Sequence, residues 1–139
     1  MTLKLSYWGS FFTSLLIIKN KSIRMNTTEL LYSLQMIVHY SLHLLFPGAV
    51  AWFFFRDQWK KAWLIMLASM LVDLDHLLAT PIFEAGRCSI GFHPLHSYHA
   101  IAAYFIMVFF PKSRIIAIGL LLHMSTDFQD CLWIKFLIQ

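Results

Sequence analysis

The chain predicts an all-α fold, an integral membrane bundle of about four transmembrane helices. Three observations carry this. Of 139 residues, 59% are hydrophobic and 13% charged, where soluble domains run at roughly 45–50% and 25%. Mean hydropathy is +0.65. The apolar residues gather into four runs of about the roughly 20 residues that a bilayer requires. One compact helical domain uses up this length.

The first run is "LQMIVHYSLHLLFPGAVAWFFF", about Leu34 to Phe55; Pro47-Gly48 should loosen or kink it. The second, about Trp59 to Thr80, is "WKKAWLIMLASMLVDLDHLLAT", and the third, about Pro94 to Phe110 and short for a span, is "PLHSYHAIAAYFIMVFF". The fourth is "IIAIGLLLHMSTDFQDCLWI", about Ile115 to Ile134. The expected domains are therefore 34–139, four transmembrane helices, and 1–33, an extension that fits poorly. Its apolar "LSYWGSFFTSLLII" is short for a span and is followed by Lys19, Lys21 and Arg24. Translation starting at Met25 or Met36 explains this; a signal-like or interfacial segment is the alternative.

Charge orients the bundle. "RDQWKK" and "PKSR" contain Arg56, Lys60, Lys61, Lys112 and Arg114, whereas the longer middle loop "PIFEAGRCSIGFH" has Arg87 alone. The positive-inside rule then places the two basic links in the cytoplasm and the middle loop outside. The expected location is a bacterial inner membrane, crossed several times, with the middle loop toward the periplasm. The net charge of +4 orients the chain rather than binding nucleic acid, for which there is no motif, and there is no glycine-rich phosphate loop. The aromatic "AWFFF" and "QWKKAW" read as an interfacial belt.

The polar residues do not scatter. Each charge near a membrane centre costs about 2.5–3.5 kcal/mol, yet "MLVDLDHLL" holds Asp73, Asp75 and His76. With the orientation taken from Lys and Arg alone, all seven histidines and four of the seven acids fall in the outer half. Spacing adds a second signal. His39 and His43 are four apart, as are His123 and Asp127, with Asp130 three further on the same face. Asp73 and His76 are three apart, and His93, His96 and His99 repeat every three on a helix that begins at Pro94. Facing inward, these stripes enclose imidazoles and carboxylates, a common setting for metal sites in bundles.

The candidate metal ligands are His39, His43, Asp73, Asp75, His76, His93, His96, His123 and Asp127. Imidazole with carboxylate suits zinc first, with iron or manganese as alternatives, and so many ligands suit one or two ions. A divalent cation would neutralise the buried carboxylates. Asp73 and His93 are the candidates for general base or acid. The competing reading of the same residues is a network of buried His–Asp ion pairs. His99 reads as structural, and Asp130, near the interface, as solvated. Cys88 and Cys131 lack CxxC spacing; sharing the outer side, they pair, stay free, or leave Cys88 as a ligand.

Four motifs carry a resemblance. "DLDH" at Asp73–His76 resembles the "PDxDH" of the LexA-binding, inner-membrane-associated metal-dependent hydrolases. "HLLFPG" from His43 resembles their "THxxxG", "LHS" at Leu95–Ser97 their "THS", and "GLLLHMSTD" at Gly119–Asp127 their "GxxxHxxxD". Order and approximate spacing agree over about residues 36–134. The chain is also similar to a branch of small bacterial membrane proteins of unknown function. The resemblance implies a helical fold related to zinc-dependent phospholipase C and single-strand-specific nucleases, which cleave phosphodiesters with zinc held by His and Asp. It implies His43, Asp73, Asp75, His76, His96, His123 and Asp127 as ligands or near-ligands, and matches His93 loosely. In this chain "HRGxTHS" is reduced to "HPLHS", without the arginine and threonine.

The expected function is a metal-dependent hydrolase of phosphoesters, in a lipid or lipid-linked substrate, with membrane lipid as its surroundings and no nucleic acid partner. A non-haem iron or metal-handling membrane protein is the second expectation. A structural membrane subunit held by buried ion pairs, without catalysis, is the third.

Overall fold

Residues that are apolar over long stretches satisfy their backbone polar groups locally, and they do so here as helices. A computed structural model describes residues 27–138 other than 83 and 85. Most of the 1–33 extension, including the alternative start at Met25, lies outside the described residues. Among the described residues there is no strand. Five α-helices follow one another: α1 (Thr27–Leu44), α2 (Phe46–Phe54), α3 (Trp59–Ala68), α4 (Tyr98–Met107) and α5 (Arg114–Trp133). Two stretches, Glu29–Phe54 and Arg114–Phe136, are long and apolar enough to cross a membrane.

The α1–α2 break is where the sequence expects it. Pro47 lacks an N–H and its ring crowds the preceding turn, so the helix is interrupted at Leu45. The Leu44 carbonyl there accepts a hydrogen bond from Trp63 Nε1 at 2.9 Å. Gly48 leaves room for this indole, since a Cβ would meet Trp63 Nε1 at 3.2 Å. Trp63 therefore does more than sit in an aromatic belt: it patches the break from the neighbouring helix.

The second apolar run is not α-helical throughout. After α3 it continues as a 3-10 helix over Ser69–Leu78, far longer than the usual three or four residues. The change of winding coincides with Ser69 Oγ donating to the Met66 carbonyl. A period of three stacks Ser69, Val72 and Asp75 on one inward line, and all three are buried. The residue before Pro81 is disfavoured in helical conformation, and the helical run ends at Leu78 with Ala79 extended.

The third run also departs from expectation. His93 is extended, Pro94–His96 forms a single 3-10 turn, and Ser97 is extended again. Ser97 then caps α4, its side chain accepting from the Ala100 N–H. With ten residues, α4 is only about 15 Å long, against roughly 30 Å of hydrocarbon. His93, His96 and His99 therefore do not share a helix face. His93 and His96 are buried, while His99 is exposed on the far side of the break.

Packing is layered along the bundle. At one end Ala51, Ala62 and Met66 form a buried cluster with Trp63 and Leu122 against it. In the middle lie Val72, Tyr104 and Met124. Small residues let α3 and α5 approach: a Cβ on Gly119 would stand 2.8 Å from Met66 Cα. The remaining end holds the histidines and aspartates.

Candidate metal centre

Four segments supply this end. α1 contributes His39 and His43, one turn apart, and the 3-10 helix contributes Asp73, Asp75 and His76. The Pro94–His96 turn contributes His96, and α5 contributes His123, Asp127 and Asp130. His43, Asp75, His93, His96, His123 and Asp127 are all buried, His96 completely.

Four ligand-type atoms converge at the centre. His96 Nε2 lies 3.3 Å from Asp73 Oδ1 and 3.0 Å from Asp127 Oδ2. His123 Nε2 lies 3.0 Å from Asp73 Oδ1 and 3.4 Å from Asp127 Oδ2. The two Nε2 atoms are 3.4 Å apart. Ligands about 2.0–2.1 Å from a tetrahedral ion are themselves about 3.3–3.4 Å apart, so these separations approximate the edges of such a site. Hydrogen bonding alone fits less well. An imidazole Nε2 carries at most one proton, and each Nε2 here faces three such atoms. Asp127 Oδ2 is buried without a hydrogen-bond partner, as is His123 Nδ1.

Two further groups adjoin this one. His39, His43 and Asp127 form the second, and Asp75, His76 and His96 the third. Asp127 faces both of the first two groups: Oδ2 points to His96 and His123, and Oδ1 lies 3.5 Å from His43 Nε2. The buried His/Asp groups could hold a metal ion, and their nitrogen and oxygen donors suit the divalent cations that accept both.

Asp75 organises the third group. Its Oδ2 accepts from the Leu95 N–H at 2.8 Å and lies 3.1 Å from His96 Nδ1. Its Oδ1 lies 3.0 Å from His76 Nδ1. A carboxylate on the Nδ1 side leaves His96 Nε2 free to face an ion, the usual arrangement around metal-bound histidine. His76 Nε2 is 3.2 Å from Ser89 Oγ.

His93 belongs to none of the three groups. Its ring stacks on His76 with centroids 3.8 Å apart. Burial and the neighbouring His76 push its pKa below the ordinary imidazole value. Asp73 is the most exposed carboxylate of the centre, its side chain 41% accessible.

Two features escaped the sequence, and the structure decides one open alternative. Asp130 is not simply solvated: its Oδ2 lies 2.5 Å from His39 Nδ1, and the three-residue step from Asp127 was the available signal. Ser89 had no signal at all. Cys88 and Cys131 form a disulfide, which removes Cys88 as a free thiol or ligand and ties the middle loop to α5 beside Asp130.

Cavities lined by the described residues reach this end of the molecule. One of about 300 Å³ is lined by Asp75, Thr80, Phe92 and His93 among others. Another, about 360 Å³, has His39 and Asp130 together with Arg87 and the α1 side chains Tyr32, Met36 and Tyr40 in its lining.

No curated protein and no solved structure matches the chain. The resemblance to the metal-dependent hydrolases thus rests on the four motifs alone. A family model does match, over residues 33–134, a stretch that contains every residue of the centre. The chain belongs to that family, described as a family of unknown function (DUF6122).

Proposed function

We propose that the chain is a bacterial inner-membrane protein that crosses the bilayer several times, holds one or two divalent ions, zinc first, at the outer end of the bundle and hydrolyses a lipid or lipid-linked phosphoester there. The observation that carries this is the convergence of Asp73 Oδ1, His96 Nε2, His123 Nε2 and Asp127 Oδ2. Asp127, facing His43 on its other oxygen, favours a second ion beside the first.

The membrane placement draws on two independent features. Large apolar side chains such as Phe53, Phe54 and Leu78 are more than 70% exposed, which a water-soluble monomer avoids over large contiguous patches. The α3 helix and its 3-10 continuation together reach about 35 Å at ideal rise, enough for a third crossing. The disulfide lies at the end opposite the Lys/Arg links. Disulfides persist on the oxidising side of a membrane, which agrees with basic links facing the cytoplasm.

In this reading His96, His123 and Asp127 would hold the ion from buried positions, with Asp75 fixing the ring of His96. A bound divalent ion lowers the pKa of its water toward neutrality and stabilises charge on phosphoryl oxygens. Asp73, partly accessible, would accept the proton of the attacking water. His93, stacked beside the centre and kept neutral by burial, would serve as the alternative proton acceptor. The two-histidine, two-carboxylate set also favours non-haem iron as a second reading.

The test begins with elemental mass spectrometry on protein purified without chelator or nickel affinity. One or two equivalents of zinc, lost in a folded His123→Ala, Asp127→Asn variant, are expected. The loaded protein should then release phosphate esters from a phospholipid panel. Iron in place of zinc would favour the non-haem iron reading. Parent protein that stays empty after incubation with zinc, manganese and iron would leave an ion-pair network and end the hydrolase reading.

A further inference from the structure

We propose that the 360 Å³ cavity between α1, the middle loop and the end of α5 is a side entrance through which the phosphate headgroup of a membrane lipid reaches the centre, with Arg87 as its anion anchor. The proposal rests on the lipid-facing hydrolase reading and adds the route and the recognising residue.

The geometry separates two approaches to one centre. The smaller cavity is lined by Thr80 and by Phe92 and His93 of the middle loop, and suits water. The larger one meets the centre at His39 and Asp130. Tyr32, Met36 and Tyr40 contribute to its lining, each four residues from the next and so on one face of α1. These three are 45%, 59% and 53% exposed. They belong to an apolar stretch, Glu29–Phe54, whose span-length 18-residue window is only 17% buried inside the protein. An opening on the flank of such a helix faces hydrocarbon rather than water. An amphiphile matches it, with its headgroup on the polar floor and its chain along the Tyr32–Met36–Tyr40 stripe.

Charge selects the headgroup. Arg87 is the one Lys or Arg among the described residues lining either cavity. Its guanidinium is fixed by the carbonyls of Pro81 and Ile82 and lies over the Phe92 ring. Its partner carboxylate is Glu84, 3.3 Å away and 57% exposed. The Arg87 side chain is itself only 13% exposed, so the carboxylate is the mobile, solvent-facing partner of the pair, whereas a guanidinium fork binds phosphate oxygens in a matched geometry. Glu84 thus occupies the anion position until a phosphate displaces it.

Photolabelling of the full chain in phosphatidylcholine vesicles tests this without requiring turnover or metal. Trace phosphatidic acid bearing a diazirine high on one acyl chain is compared with diacylglycerol bearing the same chain. The labelled peptides are mapped by mass spectrometry. The phosphate-bearing probe should label Tyr32–Tyr40 at least fivefold more than diacylglycerol. Arg87→Gln should reduce it to the diacylglycerol level, and Glu84→Gln should raise it. Met36→Trp, which fills the mouth from an exposed position, should suppress labelling even if Arg87→Gln fails to fold. Equal labelling by the two probes, or labelling indifferent to both Glu84→Gln and Met36→Trp, overturns the entrance. Headgroup-dependent labelling without any hydrolysis would keep the entrance and remove the hydrolase reading; hydrolysis with indifferent labelling would do the reverse.

Discussion

His96 Nε2 and His123 Nε2 face each other across 3.4 Å, with a carboxylate oxygen from Asp73 on one side and one from Asp127 on the other. Two imidazole nitrogens turned to one point, buried and flanked by anions, share that point most favourably with a cation. Ligand binding to the folded state alone stabilises it by about 2.7 kcal/mol at a hundredfold excess over Kd. Added zinc should therefore raise the melting temperature of the parent by several degrees. His96→Ala should abolish both the shift and the bound metal, and His99→Ala, exposed outside the centre, should preserve both. Scanning fluorimetry with elemental analysis reads the pair of outcomes.

Asp75 lies behind His96 rather than among the four converging atoms. Removing a carboxylate that orients a metal-bound histidine typically weakens metal affinity 10–100-fold. Asp75→Asn should show this loss in a competition titration with a chromophoric chelator, yet still fill at saturating metal. Asp127→Asn, altering a converging atom, should fail to fill at any concentration that the chelator can buffer.

Gly119 should tolerate no side chain. A Cβ there stands 2.8 Å from Met66 Cα and 2.9 Å from Ser69 Oγ, and the nearer atom is backbone. Overpacking of this kind costs about 1–3 kcal/mol. Thermal unfolding in mild detergent should show Gly119→Ala destabilised to that extent. Ser125→Ala, on the exposed side of α5, should lie near the parent.

Trp63→Phe preserves an aromatic ring but strands the Leu44 carbonyl at the helix break. An unpaired acceptor away from water costs about 1–3 kcal/mol. The variant should unfold earlier than Trp52→Phe, whose ring lies 40% exposed, in the same detergent assay.

The Cys88–Cys131 link closes a separation of 43 residues. On the chain-entropy account a loop of this size contributes about 4 kcal/mol. Cys88→Ala should lower the melting temperature, and the parent should fall to the level of the variant after reduction. In intact spheroplasts, a membrane-impermeant maleimide applied outside should label the parent only after reduction. Labelling without reduction would show that the two thiols are not paired.

The sequence by itself determined that the chain is helical, the break at Pro47-Gly48 and the polar residues gathered at one end. These follow from local chemistry: hydropathy sets segment length, proline removes a backbone donor, and side chains four apart share a helix face. His39 with His43, and His123 with Asp127, were legible for that reason. The tertiary structure alone decided which nitrogen faces which oxygen. His93 and His96 read as one helical stripe, but Pro94 and Ser97 break the chain there, so the former stacks on His76 and the latter enters the centre. Asp75 read as one more ligand; a ten-residue 3-10 helix, invisible to a 3.6-residue period, turns it inward, where it groups with His76 and His96 rather than with the four central atoms. Asp130 and the cysteine pair were decided by where α1 and the middle loop come to rest against α5. Contacts between residues from 21 to 91 positions apart depend on how whole helices pack, and no local pattern encodes that packing.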